Sequence, residues 1–319
     1  LALYDKSVLC TKPGPAGPVV VASSAATPTA SFVLANGDDV TCTITNKLLP
    51  TLKVTKVVVG DVTSTFDLSV GATKVIDDGK TGATDTRTYS PNTYSVTETL
   101  GAGGAVDRNV WDVVYSGDCD QNGSVQLAYG ETKSCTITNS KRPQIKVAKQ
   151  VVPANDGGTF DLIINGTTFD NGGAGFGNGQ ATAFVPVAKG NVTVAETSHG
   201  ATLVSSYFND VTCDSDKGGA TGAPHANRSW KFTVTYGEQV TCTFTDRVVP
   251  TIAKVQADCD PISNACGTAS ANQISVDFHD RIHYTLTASS PVAATGVRLV
   301  DRVPSGLTVS SAPSAPAGT

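Results

Sequence analysis

The sequence predicts an all-β protein of tandem β-sandwich domains, arranged like beads on a string in a rod. The chain of 319 residues has 31 glycines, 6% aromatic residues and no Met, which is typical of strands joined by tight turns. Many segments alternate polar and apolar residues with period two. One string, a Cys followed by alternating Thr, an Asn or Asp and a closing Pro, occurs at 41–50, 134–143 and 241–250.

The repeated string closes two full units, residues 50–142 and 143–249. The opening segment PTLKVTKVVV of the first unit matches PQIKVAKQVV of the second, and YSVTETL later in the first matches VTVAETS. Period-two segments separated by Gly, Asn and Asp predict six or seven short strands in each unit, as in a β-sandwich. The closing Pro makes a short, stiff junction to the next unit, which indicates a rod.

The eight cysteines fall into local couples. Because the count is even and each unit holds one couple, the pattern predicts disulfides and an oxidising compartment. No two cysteines are closer than seven positions, which disfavours a zinc site built from close pairs. Each couple is expected to clamp the last strand of its unit to the strand or loop before it. The predicted couples are Cys10 with Cys42, Cys119 with Cys135, Cys213 with Cys242, and Cys259 with Cys266.

Other kinds of site have weak support in the sequence. The formal charge of −5 and the lack of charged blocks disfavour a nucleic-acid partner, and no apolar stretch reaches the ~20 residues of a membrane span. The segment 118–123 resembles the start of a calcium loop, but Tyr129 stands where the closing Glu is needed. His279 and His283 would lie about 13 Å apart along a strand, too far for one metal. We expect no metal, no cofactor and no enzyme.

Two polar residues are predicted to face the core. Side chains alternate across a strand, so Lys56 shares its face with Leu52 and Val54, and Asn139 shares its face with Ile137. A lysine in an apolar interior is costly, and a buried amide without a partner costs about 1–3 kcal/mol. Both placements therefore call for a specific partner.

These residues carry a resemblance to a known family. The order V-x-K on the first strand, Glu in V-x-E-T and Asn closing the last strand resembles the collagen-adhesin B-type domains of bacterial surface proteins, with a transthyretin-like (prealbumin-like) sandwich. In that family the Lys amine attacks the Asn side-chain amide to form an intramolecular isopeptide bond, and the Glu relays protons. The resemblance implies Lys56, Glu98 and Asn139 in the first full unit, and Lys149, Glu196 and Asp246 in the second.

The second unit departs from the family pattern because it ends in Asp246. A carboxyl group can still condense with an amine, with water leaving in place of ammonia. The alternative for both triads is an ordinary buried salt bridge with hydrogen bonds and no covalent bond. If the bond forms, it is a single self-modification, which does not make the protein an enzyme.

The two ends of the chain carry incomplete units. Residues 1–49 contain the repeated string without the segments that should precede it, so they are predicted to be the C-terminal part of a repeat, or else a domain of another kind. Residues 280–312 resemble the conserved-repeat Ig-like domain of bacterial surface proteins, which makes 250–319 an incomplete Ig-like domain. The missing strands are expected from a longer array or from a neighbouring chain that donates a strand.

The sequence therefore predicts tandem Ig-like/prealbumin-like sandwiches in an extracellular structural protein that forms a stalk or fibre on a bacterial surface. Its expected partners are neighbouring copies or other surface proteins. The alternative is an adhesin that binds a glycan or host protein through loops such as 171–180 or 214–228.

Overall fold

The computed structural model of the protein is almost entirely β-structure. It describes residues 3–25, 29–218, 223–225, 228–260, 262–263, 265–272 and 281–289. These residues form 22 strands and a single 3-10 turn at Val204–Ser206. Within those ranges, no helix has the length and apolar character that crossing a bilayer requires.

The first three strands form one antiparallel sheet in the order β2-β1-β3. They are β1 (Tyr4–Lys12), β2 (Val19–Ser24) and β3 (Thr41–Leu48). Cys10 and Cys42 pair directly across β1 and β3. The other edge of β3 has no neighbouring strand in the described part of the chain, and Ile44 on this strand is 57% exposed.

The first sandwich, residues 51–141, packs two four-stranded sheets face to face. Its strands are β4 (Thr51–Val59), β5 (Phe66–Val70), β6 (Thr73–Gly79), β7 (Thr84–Thr88), β8 (Asn92–Leu100), β9 (Trp111–Gly117), β10 (Ser124–Leu127) and β11 (Thr132–Lys141). The sheet orders are β7-β4-β11-β9 and β10-β8-β5-β6. Leu52 and Ile137 from the first sheet pack on Phe66 and Leu68 from the second. The inward apolar faces that the alternation predicts therefore form this core.

The second sandwich, residues 144–248, repeats the architecture with a four-stranded and a five-stranded sheet. Its strands are β12 (Gln144–Val152), β13 (Phe160–Ile164), β14 (Thr167–Phe169), β15 (Val185–Pro186), β16 (Gly190–Ser198), β17 (Tyr207–Ser215), β18 (Ala223–His225), β19 (Ser229–Val234) and β20 (Gln239–Val248). The sheet orders are β15-β12-β20-β17 and β14-β13-β16-β19-β18.

The predicted count of six or seven strands per unit is too low. The described parts of the two sandwiches have eight and nine strands. The additional ones include β14, β15 and β18, which have three, two and three residues. Segments this short pair with a neighbouring strand through backbone hydrogen bonds, but they cannot show a period-two pattern.

In both sandwiches the first strand lies parallel to the last. Strand β4 pairs with β11, which places Lys56 opposite Ile137, and β12 pairs with β20. The two ends of each repeat therefore meet in the middle of one sheet. Parallel neighbours cannot be joined by a hairpin. The connection between these two strands is instead made by all the other strands of the sandwich, which lie between them in the sequence.

The last described part of the chain is a strand pair. Strand β21 (Thr251–Cys259) lies antiparallel to β22 (Arg281–Ser289). Cys259 therefore lies on the first strand after Pro250, so the expectation that every couple clamps a last strand is wrong for Cys259–Cys266. His283 is exposed on β22, whereas His279 and most of 280–312 lie outside the described residues. The Ig-like resemblance of this end stays a prediction.

Successive units are joined by the same backbone hydrogen bond. The sequence Tyr-Gly-Glu forms a turn before the last strand of each sandwich, and its Gly N–H donates to a carbonyl near the end of the preceding unit. Gly130 donates to Leu48 over 2.7 Å, and Gly237 donates to Lys141 over 2.7 Å. The second junction is tighter, because Gly237 also contacts the backbone of Gly60.

The substitution Gly237→Ala is expected to loosen the second junction. A Cβ atom at Gly237 would lie 1.8 Å from the carbonyl oxygen of Gly60, so the two turns must move apart. The matched control is Gly130→Ala, since both glycines have φ near +75° (+71° and +78°), but a Cβ at Gly130 meets no described heavy atom within 4 Å. Both variants carry the backbone strain of a non-glycine residue at positive φ, of order 1 kcal/mol.

Hydrogen–deuterium exchange of peptides that cover the turns at Gly60 and Gly237 measures this effect. Faster exchange at both turns in Gly237→Ala, with wild-type exchange there in Gly130→Ala, is the expected result. Equal exchange in the two variants would show that the contact with Gly60 does not hold the junction.

Candidate cross-linking sites

In the first sandwich, a lysine lies fully inside the core. Lys56 has no exposed surface, its Nζ lies 2.8 Å from Glu98 Oε2, and it lies 4.1 Å from the centre of the Phe66 ring. Burial lowers the pKa of Lys56, because desolvation disfavours the ammonium, and Glu98 opposes this shift only in part. The site therefore favours the neutral, nucleophilic amine more than water does.

The predicted acceptor Asn139 is also fully buried, on the strand next to Lys56. Asn139 lies opposite Val58, two residues beyond the partner of Lys56, so the two side chains are diagonal neighbours on the inner face of the sheet. Neither Nδ2 nor Oδ1 of Asn139 has a hydrogen-bond partner in the described structure, and Glu98 Oε1 also lacks one. Buried amides are almost always hydrogen-bonded, so a fully unpaired amide beside an amine needs an explanation.

The second sandwich holds an equivalent cluster with a carboxylate in place of the amide. Lys149 Nζ lies 2.6 Å from Glu196 Oε2 and 2.8 Å from Asp246 Oδ2, and all three side chains are inaccessible to solvent. The Phe160 ring centre is 3.9 Å from Nζ, as Phe66 is near Lys56. Burial raises the pKa of Glu196, and the nearby Lys149 opposes that shift. A carboxyl group with a raised pKa is suited to take up and return a proton.

Two residues of this second cluster were not predicted from the sequence. Asn209 Nδ2 donates to Glu196 Oε1 and to Asp246 Oδ1, each over 2.9 Å. Arg228 Nε donates to Glu196 Oε1 over 2.8 Å, and Arg228 Nη2 bonds Asp246 Oδ1. Asn209 pairs with Asp246 across β17 and β20, a pairing that the sequence alone does not give. Arg228 lies just before β19, and neither the alternation nor the repeat pointed to it.

The partial unit at residues 1–49 keeps only one member of the triad. Asn46 on β3 occupies the position of Asn139 in the repeated string, and it is exposed. In the described residues of this unit, no strand lies where β4 and β12 lie in the two sandwiches. The structure therefore brings the six predicted residues together in two clusters. Asn46, at the equivalent position of the partial unit, lies outside a core.

All cysteines of the chain are paired in the structure, in the four predicted couples. Cys135 and Cys242 are fully buried, each on the same strand and the same face as the acceptor residue four positions later. Cys213 and Cys242 are direct partners across β17 and β20, whereas Cys119 lies in the loop after β9. The last strand of each sandwich is thus anchored by a disulfide next to its buried triad.

The fold and these clusters define a disulfide-bonded, all-β repeat protein with a buried lysine–acid triad in each sandwich. Residues 1–48 and 148–248 match the family model of a prealbumin-like fold domain. These two segments are therefore similar to prealbumin-like domains. The first sandwich, outside the matched residues, has the same parallel pairing of its first and last strands. A comparison with curated proteins found no match.

Several solved structures are similar to the chain at low sequence identity. The major pilin of Streptococcus pyogenes is 15% identical over 62% of this chain and 98% of the pilin, with a TM-score of 0.26. An adhesin from Mobiluncus mulieris, described as containing intramolecular disulfide, isopeptide and ester bond cross-links, is 11% identical over 77% of this chain and 86% of its own, with a TM-score of 0.28. A pilus adhesin from Lactobacillus rhamnosus GG is 13% identical over 86% and 40%, also at 0.28. These superpositions are loose, so the fold assignment rests on the family match and the described strands.

Proposed function

We propose that the protein is an extracellular structural protein, a stalk or fibre of prealbumin-like sandwiches on a bacterial surface. In this proposal each sandwich is stabilised by its disulfide and by an intramolecular isopeptide bond, Lys56–Asn139 in the first and Lys149–Asp246 in the second. The observation that carries the proposal is the fully buried Lys56 beside a fully buried amide that has no hydrogen bond to any described residue. The physical cost of that arrangement is removed if the two groups react.

The reaction at the first site follows from the contacts of Lys56. The neutral amine attacks the side-chain carbonyl carbon of Asn139, and a new C–N bond forms as the bond to Nδ2 breaks. Nδ2 leaves as ammonia, with the proton that the lysine nitrogen gives up. Glu98, 2.8 Å from Nζ, relays that proton, and the apolar surroundings keep water from competing.

A cross-link at this position suits a protein under tension. In a rod, force enters each sandwich at its first strand and leaves at its last, and these two strands are parallel neighbours. An isopeptide bond between them passes the force directly from one strand to the other. The residues between Lys56 and Asn139 then carry no load, so the sandwich does not unravel. This is the property that a stalk or fibre requires.

The role of an adhesin stays a second prediction. Of the two loops proposed for it, 171–180 buries its one aromatic side chain, Phe176, in the core at 4% exposure, and so does not display it to a ligand. The loop 214–228 lies partly outside the described residues. The structure therefore favours the mechanical role over ligand binding for the loop that it describes.

The partners in this proposal are neighbouring copies or other surface proteins. One edge of β3 has no neighbouring strand among the described residues, and Ile44 is exposed on this strand. A parallel strand added at that edge would continue the pattern of the two sandwiches. Backbone hydrogen bonds along that edge would supply affinity and the alternating side chains would supply specificity.

The intact mass of the chain, fully reduced, tests the cross-links. We expect the mass to be lower than that of the sequence by one ammonia for the first sandwich and by one water for the second. Lys56→Met is expected to restore the ammonia and to leave the water loss unchanged. The matched control is Lys53→Met, on the same strand but facing solvent, which should keep both losses. A wild-type mass equal to that of the sequence would mean that both triads are ordinary buried ion pairs, and the stability of the rod would then rest on disulfides and packing.

A further inference from the structure

We infer that Asn209 and Arg228 form a clamp on Asp246 Oδ1 that makes a carboxylate usable as the acceptor in the second sandwich. This inference rests on the proposed function, because it concerns how the same bond forms. Because of the clamp, the two oxygens of Asp246 have different roles in the reaction. Oδ1 becomes the carbonyl oxygen of the new amide, and Oδ2 leaves as water.

The contacts of the two oxygens differ in the way that these fates require. Oδ1 is held by two donors, Asn209 Nδ2 at 2.9 Å and Arg228 Nη2. Oδ2 accepts no hydrogen bond from the described residues, although Lys149 Nζ lies 2.8 Å away. The amine therefore approaches from the side of the oxygen that is free to leave.

The first sandwich shows why the clamp belongs to the carboxylate. Asn209 lies opposite Asp246 in the pairing of β17 with β20, and the residue opposite Asn139 in the pairing of β11 with β9 is Val113. No described donor forms a hydrogen bond with the Asn139 side chain. The two sandwiches thus differ at both positions of this facing pair. The first has the amide of Asn139 opposite the apolar Val113, and the second has the carboxylate of Asp246 opposite the amide of Asn209.

Arg228 reaches the cluster from the adjacent sheet and is held there firmly. Besides its bonds to Glu196 and Asp246, its Nη1 donates to the carbonyl oxygens of Val204 at 3.2 Å and Tyr207 at 3.3 Å. The side chain is 18% exposed, so its charge acts in a largely dry site. A guanidinium held by four acceptors is preorganised, which is the condition for stabilising charge that develops during a reaction.

The chemistry explains the need for two donors. An ionised carboxylate is a poorer electrophile than an amide, because its negative charge repels an attacking amine. Donors on Oδ1 withdraw that charge and stabilise the oxyanion that forms when Nζ bonds to the carbon. In the balanced reaction the ammonium of Lys149 releases two protons, which convert Oδ2 into water. Glu196, 2.6 Å from Nζ, relays them and returns to its starting state.

The charges of the product also balance. Before the reaction the cluster holds two cations, Lys149 and Arg228, and two carboxylates, Glu196 and Asp246. Condensation removes one charge of each sign, which leaves Arg228 paired with Glu196. The reaction therefore leaves no unpaired charge buried in the core.

The test uses the fully reduced mass of the whole chain, with the ammonia loss of the first sandwich as an internal control. Asn209→Val copies the first sandwich, and Arg228→Gln removes the charge. Each is expected to lower the ratio of water-loss product to unreacted chain at least tenfold, with the ammonia loss unchanged. The control Arg247→Gln changes an exposed arginine next to Asp246 and should keep the water loss.

A rescue variant separates a chemical from a structural role. Asp246→Asn in the Arg228→Gln background presents a neutral amide, which needs no clamp, so a second ammonia loss is expected. The inference is overturned if the water loss persists in both single variants, if the rescue variant stays unreacted, or if the wild type shows only the ammonia loss. A wild type that shows neither loss would instead contradict the proposed cross-links themselves.

Discussion

Pulled from its ends under reducing conditions, the chain with Asn139→Ala should extend about 280 Å further than the wild type, at about 3.5 Å for each released residue. The added length corresponds to the residues between Lys56 and position 139, which the isopeptide bond withholds from extension in the wild type. Single-molecule force spectroscopy measures this increment directly. The second sandwich, whose bond is unchanged, serves as a reference in the same molecule.

The same variant should also lose thermodynamic stability. In the chain-entropy model, a cross-link that closes a loop of about 80 residues stabilises the folded state by about 4–5 kcal/mol.

The matched control for the stretching experiment is Asn109→Ala, which replaces an exposed asparagine of the same sandwich and should add no length. A wild-type chain that already extends through this segment would show that Lys56 and Asn139 are not joined.

The substitution Glu196→Ala is expected to destabilise the second sandwich by about 3–5 kcal/mol, the usual effect of removing one partner from a buried ion pair. Glu196 accepts from Lys149, Asn209 and Arg228, so its loss leaves two cations facing the single carboxylate of Asp246. It also removes the proton relay, so the water loss from this sandwich should disappear.

Denaturant unfolding followed by fluorescence measures this change. The chain has two tryptophans, Trp111 on β9 and Trp230 on β19, so a Trp111→Phe background makes the signal report on the second sandwich. The control Asp210→Ala removes an exposed acid next to Asn209 and should change the free energy of unfolding by less than about 0.5 kcal/mol. An equally small change in Glu196→Ala would mean that the cluster is not a closely coupled charge network.

Two members of the first cluster could be predicted from alternation, and the family resemblance implied the other predicted members. The period-two pattern placed Lys56 and Asn139 on inward faces, and both are fully buried in the structure. The resemblance implied Lys149 and Asp246 at the corresponding positions of the second unit, and these are buried too. The formation of the bonds stays a prediction, because a covalently joined pair and an ion pair would both be buried and close together.

The remaining features depended on contacts that no local pattern encodes. The short strands such as β15 exist only because another strand lies within hydrogen-bonding reach. Arg228 lies just before β19 and enters the cluster from the second sheet, and neither periodicity nor the repeat pointed to it. Asn209 had no predicted role, because its partner across the sheet was unknown.

The sequence by itself determined the all-β class, the four cysteine couples and the residues that face inward, and it predicts the repeat boundaries. Each of these follows from local alternation or from spacing along the chain, because a strand's two faces are set by its own residues. Only the tertiary structure decided that the first and last strands of each sandwich lie side by side and parallel. That pairing results from burying two apolar sheets against each other and satisfying their backbone hydrogen bonds, which are long-range requirements. The antiparallel pairing of β17 with β20 and the packing of the two sheets bring Asn209 and Arg228 onto one oxygen of Asp246.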